Sequence, residues 1–211
     1  MNIKNILVAV IAVVFATGCN GQNNNNAKTH GRASQQTSNP GNMSKSIVIF
    51  FSHAGDNYSV GNIEVGNTKI VADYISEITG ADQFEIVTHK YDGMSYTPLI
   101  ELANKEAAAG ELPPYEGAAP DLSQYDTVFI GGPVWWGTYP QVMFTLFKDI
   151  DLAGKTVIPF TTHEGSGLAN CVGDVKKAFP KANVTGEFSI YGHEVRGGKA
   201  KVERWLKGIG F

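Results

Sequence analysis

Tyr125-Asp126-Thr127-Val128-Phe129-Ile130-Gly131-Gly132-Pro133-Val134-Trp135-Trp136-Gly137 is the stretch from which the fold is read. Residues 126–130 form a short run ending in consecutive apolar side chains, the pattern of a strand covered on both faces in a parallel sheet. Glycines and a proline then break the run, and two adjacent tryptophans follow. Both indoles are not expected to face the core. At least one should line the sheet edge, where it could stack on a flat ring. A tryptophan pair that closes the core or meets another protein would leave the same trace.

Outward from this run, strands and helices alternate. Residues 47–51 (Ile-Val-Ile-Phe-Phe) read as a first buried strand. Apolar residues at 70, 71, 74, 75 and 78 give a helix over 68–79, stopped by Gly80. Residues 83–88 read as a strand and 99–109 as a helix that ends before Pro113-Pro114. Beyond the central run come a helix over 140–147, a strand over 155–161 and a helix over 167–179 before Pro180. A strand over 184–191 and a helix over 198–209 complete the chain. Five strands alternating with helices predict a doubly wound α/β domain. Ligands in such folds bind beyond the carboxyl ends of the strands, where strand order reverses. Three loops therefore matter, those after the first, third and fourth predicted strands.

The first of these runs from Ser52 to Gly66-Asn67-Thr68. Small residues at a helix start offer backbone N–H groups to an anion, phosphate above all, although a plain helix cap would read the same way. Residues 61–68 approach a P-loop, but Asn67 stands where the lysine belongs, which argues against triphosphate hydrolysis. No GxGxxG is present, so a nicotinamide-binding Rossmann domain is not supported. The second loop is Pro133-Val134-Trp135-Trp136-Gly137. The third is Thr161-Thr162-His163-Glu164-Gly165-Ser166-Gly167, which again ends in small residues before a helix. His163-Glu164 lacks the second histidine of a zinc helix, and Ser166 lacks a full nucleophile elbow. His163 is either a ring contact or a structural loop histidine.

The remaining features bound the class. Residues 1–43 contain no acid and three bases (Lys4, Lys28, Arg32), leaving 14 basic against 20 acidic residues beyond them. An acidic domain repels nucleic acid. The two cysteines, Cys19 and Cys171, form no metal or redox motif, and Cys171 is expected to be a small core residue. After Lys4, residues 6–16 are an unbroken apolar run, too short to span a bilayer but suited to a secretory signal. Ala16-Thr17-Gly18-Cys19 resembles a bacterial lipoprotein signal, which would make Cys19 the lipidated first residue of the mature chain. An ordinary secretory signal with an incidental Cys19 is the alternative. Residues 20–43 are polar and low in complexity, a flexible tether. The sequence thus predicts a signal at 1–19, a tether at 20–43 and a folded domain at 44–211. It is exported and held at the cell envelope by lipid alone.

Taken together, residues 49–52, 66–68, 125–137, 159–167 and 202–210 resemble the flavodoxin family, in a variant with an insertion at residues 53–65. The resemblance implies a flavodoxin-like three-layer α/β/α sandwich around a five-stranded parallel sheet, with FMN as cofactor. It assigns Ser52, Gly66, Asn67 and Thr68 to the phosphate. Pro133, Val134, Trp135, Trp136 and Gly137 would run along the isoalloxazine ring, with the Gly137 carbonyl a candidate partner for the flavin N5 proton. Thr161, Thr162, His163, Gly165, Ser166 and Gly167 would cover its other edge. It implies electron transfer with a redox protein or small-molecule acceptor. The alternatives are an NAD(P)H:quinone-type oxidoreductase and a flavin-free interaction module.

Overall fold

The computed structural model describes residues 45–211. The expectations for the signal, the tether and lipidation at Cys19 lie outside them. The strands are β1 (Ser46–Phe50), β2 (Gly55–Asn57), β3 (Gly61–Ile63), β4 (Asp82–Glu85), β5 (Thr127–Pro133), β6 (Thr156–His163), β7 (Asn183–Val184) and β8 (Phe188–Tyr191). The helices are α1 (Asn67–Thr79), α2 (Tyr96–Ala109), α3 (Gln141–Asp149), α4 (Cys171–Ala178) and α5 (Lys199–Gly208), with a 3-10 turn at Gly192–Gly197 before α5.

The main sheet is parallel throughout, in the order β4-β1-β5-β6, and its fifth place is shared by β7 and β8 along β6. The alternation of β1 explains the layering. Ile47, Ile49 and Phe51 point to a core completed by Leu99 of α2, Val142 and Leu146 of α3, and Val175 of α4. Val48 and Phe50 point to the opposite core, closed by Val71 and Ile75 of α1 and Val202 and Leu206 of α5. The doubly wound three-layer sandwich is therefore present. Cys171 is fully buried, as expected, and burial pushes its thiol up to about 12.

Several boundaries differ from the sequence reading. The second predicted strand is shorter: Ile86 still donates its N–H to the Phe50 carbonyl at 2.7 Å, after which the pairing stops. The last predicted strand is two pieces, separated at residues 185–187, where Gly186 takes φ 68°. The predicted helix over 167–179 begins only at Cys171, because Gly167 and Ala169 adopt φ 59° and 43°, outside the helical region. The largest addition is the antiparallel hairpin β2–β3 inside the 53–65 insertion. Its residues are polar and mostly outside the core, so no hydrophobic alternation announced it.

β5 and β6 also run further than predicted, through Pro133 and His163, paired up to Pro133 with Thr162. Within these strands the two glycines serve packing. A Cβ at Gly131 would stand 1.9 Å from the ring of Phe160, and one at Gly132 would stand 2.6 Å from Met143 Sδ. The space they leave is filled by the protein's own side chains, not by a ligand. Tyr139, fully buried, sets its hydroxyl 3.1 Å from the carbonyl oxygens of both Ile130 and Phe160. It thereby ties β5 to β6 just below the site.

Candidate functional site

A cavity of about 350 Å3 opens at the carboxyl end of the sheet, beyond β1, β5 and β6. It lies where the order reverses, as the rule for open α/β sheets requires. Its size is that of a site for one small ligand.

One end is the start of α1. Gly66 is the N-cap, and neither Asn67 nor Thr68 makes a side-chain cap. The cap is supplied from the loop after β1 instead: Ser52 Oγ accepts the Lys69 N–H at 3.0 Å. A Cβ at Gly66 would sit 2.2 Å from that oxygen and 2.7 Å from the His53 carbonyl. Gly66 is thus required by close packing of loop on loop, with an ordinary negative φ. The N–H groups of Asn67 and Thr68 open the helix without intrahelical partners and carry its positive dipole end. The Thr68 hydroxyl is buried and lies 2.8 Å from Thr162 Oγ1, which locks α1 onto β6.

The middle is the turn Trp135-Trp136-Gly137-Thr138. Trp135 and Thr138 exchange two backbone bonds, at 2.9 and 3.2 Å. Trp136 and Gly137 both take positive φ, 53° and 82°, the signature of a two-residue type I′ turn. Glycine meets this freely; tryptophan in the left-handed region is strained, and such strain gathers at functional sites. The two indoles part company here. Trp135 packs edge-on against Phe51, Tyr91 and His53, with centroids 5.6, 5.1 and 5.9 Å away. Trp136 stays 57% exposed, and its Nε1 donates to the Ile100 carbonyl at 2.7 Å. Both line the cavity, so neither alternative for the pair holds alone: one closes the core edge, and the other stays exposed while tethered to α2. The Gly137 carbonyl accepts the Asn170 N–H at 2.9 Å.

The far wall is the end of β6 and the turn after it. Thr161 is buried and donates its hydroxyl to the Gly167 carbonyl at 2.9 Å. His163 Nδ1 accepts the Gly165 N–H at 2.9 Å, and its ring lies 4.5 Å from that of Tyr191. Burial lowers the His163 pKa, with Glu164 opposing the shift. The Glu164 carboxylate is held by the His193 N–H at 2.8 Å and by His193 Nδ1 at 2.7 Å.

Of the residues singled out in the sequence, Asn67, Thr68, Pro133, Val134, Trp135, Trp136, Gly137, Thr162, His163 and Ser166 line this one cavity. Ser52, Gly66, Thr161, Gly165 and Gly167 do not line it. They stand behind it as a cap acceptor, a close-packed glycine, a buried strand residue and two turn glycines at φ 126° and 59°. Sequence reading missed His53, Asn57, Tyr58 and Val60 of the insertion, Tyr96, Leu99 and Ile100 of α2, and Glu164 and Gly192, which also line it. The paired glycines Gly55 and Gly61, at φ 99° and 71° around a polar tip, were the available hint of a hairpin. Nothing local linked α2 to the site. Among the described residues no group of three or more His, Cys, Asp or Glu is placed to hold a metal ion, and no helix is long and apolar enough to cross a membrane.

Fold and site together define a doubly wound α/β protein whose switch-point cavity has an anion-receptive helix start at one end and aromatic walls at the other. The sequence profile of the Flavodoxin family matches residues 45–209, and the chain belongs to that family. A candidate flavoprotein of Bacteroides uniformis is 25% identical over 78% of this chain and 98% of its own, with a TM-score of 0.61. One from Bacteroides eggerthii is 25% identical over 80% and 99%, with a TM-score of 0.58. A flavoprotein of Lactobacillus acidophilus, solved in complex with FMN, shares the fold at 20% identity over 77% and 99%, with a TM-score of 0.57. No protein of curated function matches the chain.

Proposed function

We propose that the cavity binds FMN and that the protein transfers electrons through it. The observation that carries this reading is the single cavity uniting the start of α1, at Asn67 and Thr68, with the Trp135–Gly137 turn. The residues present fit the group. The start of α1 suits a phosphate, and Trp135, Trp136 and Pro133 offer a surface to a flat ring. The buried Thr68–Thr162 contact holds the start of α1 against β6, where Thr162 pairs with Pro133 just before the Trp135 turn. Bound FMN supplies the one- and two-electron redox chemistry, and the protein supplies binding, orientation and electrostatics. The acidic surplus of the chain disfavours further negative charge on a bound ring and so lowers its potential.

The test is an absorbance spectrum of the purified protein before and after FMN addition, with FMN fluorescence followed in titration. Bound flavin bands and stoichiometric quenching are expected. A colourless protein that leaves FMN fluorescence unchanged would favour the flavin-free interaction module. Addition of NADH or NADPH with a quinone then separates carrier from enzyme. Rapid flavin bleaching with quinone turnover would replace electron transfer by the oxidoreductase reading.

The reading extends to residues 1–43 as a proposal from sequence: export by the first 19 residues, lipid on Cys19, and a tether that leaves the flavodoxin domain free to meet a redox partner at the envelope. The unbroken apolar run at 6–16 followed by Gly18-Cys19 supports it.

A further inference from the structure

The hairpin within the 53–65 insertion does not project away from the cavity; it forms one of its walls. Tyr58, at the hairpin tip, is 61% exposed, yet it lines the cavity together with Tyr96 at the start of α2. The two rings lie 5.7 Å apart and tilted by 32°. Their placement is built rather than incidental. Asp56, the neighbour of Tyr58 but one, accepts the Tyr96 N–H at 2.9 Å and so caps α2 from across the cavity mouth. Asn57 Nδ2 donates to the Gly55 carbonyl at 3.0 Å and stiffens the strand below the tip. On the other side, the indole of Trp136 is latched to the same helix through Ile100.

An exposed tyrosine is ordinary by itself; what sets Tyr58 apart is that it shares a cavity wall with Tyr96. Exposed as it is, the Tyr58 ring borders the concave space. We propose that Tyr58 and Tyr96 are ring-binding residues: the insertion supplies a second aromatic wall that takes a planar, neutral, fused-ring group. On the reading of the cavity given above, on which this rests, that group is the isoalloxazine. The phosphate end, at Asn67 and Thr68, belongs to a different wall. The tyrosines should therefore act on the ring alone, with no preference for the phosphorylated ligand.

Riboflavin and FMN titrations, followed by fluorescence quenching, test this on the full chain. Tyr58→Ala should weaken both ligands by the same factor, about tenfold, the order expected for losing an aromatic contact and the surface it covers. Tyr58→Phe should retain wild-type affinity, since the ring and not the hydroxyl is used. Because Tyr58 is exposed, the urea midpoint of either variant should match the wild type, which separates lost binding from lost fold. Wild-type affinity of Tyr58→Ala for both ligands would overturn the assignment while leaving FMN binding standing. A loss for FMN alone would also overturn it, by placing the effect at the phosphate end. Failure of the wild-type protein to quench either ligand would remove the flavin reading itself, and this assignment with it.

Discussion

Thr68 shows how one side chain serves both fold and site. Its backbone opens α1 toward the cavity, while its hydroxyl is buried against Thr162. Thr68→Val keeps the shape but strands the Thr162 hydroxyl, a loss of about 1–3 kcal/mol, readable as a lower urea midpoint. The two histidines at the cavity wall behave differently. Burial lowers the pKa of His53 against the pull of Asp92 and Asp56, and lowers that of His163 as well. Between their lowered folded values and about pH 6.5, the unfolded chain binds protons that the folded chain does not. Their contribution is therefore complete above pH 6.5 and is lost as pH falls through the depressed folded values. Exposed His89, beside Asp92 and Glu116, is shifted the opposite way, so the difference between proteins is the informative quantity. The drop in urea midpoint from pH 7 to pH 5 should be smaller in His53→Gln/His163→Gln than in the wild type. Equal drops would show that neither pKa is lowered by folding.

Among the elements, β5 governs the site through what it excludes. Gly131 leaves room for Phe160, itself fully buried and unable to swing aside. Gly131→Ala should cost about 3 kcal/mol, the upper end of overpacking penalties. It should also disturb the Trp135–Thr138 turn that follows, lowering both the unfolding midpoint and FMN affinity. Normal stability in that variant would mean that β5 and β6 can separate more readily than their seven-residue register implies. This element also marks the limit of sequence reading. The run Val128-Phe129-Ile130 announces a strand by composition. Its continuation through Gly131, Gly132 and Pro133 does not, because glycine and proline are poor strand formers taken alone. They are held in the sheet by their partners Phe160, Thr161 and Thr162, which sequence neighbours cannot reveal.

For the whole chain, the prediction concerns residues 1–43 and the domain together. If lipid on Cys19 anchors the protein, Cys19→Ala should move it from the membrane fraction to the soluble fraction without changing FMN affinity. Membrane retention of that variant would count against the anchor. What the sequence determined by itself follows from periodicity and punctuation. Alternating buried strands and amphipathic helices, with stops such as Gly80, dictate the layers, because each element must bury one face against another. That alternation also fixes the edge of the sheet at which such folds place their ligands, and ten of the residues named from sequence share one cavity there. Tertiary structure alone decided the rest. It sent Trp135 inward and Trp136 outward, turned Ser52 into the cap of α1, and tied the Gly137 carbonyl to Asn170. It also brought Tyr58 to Tyr96, 38 positions apart in the chain, on a hairpin too polar and too short to declare itself. These outcomes depend on contacts between residues distant in sequence, and local pattern carries no record of such contacts.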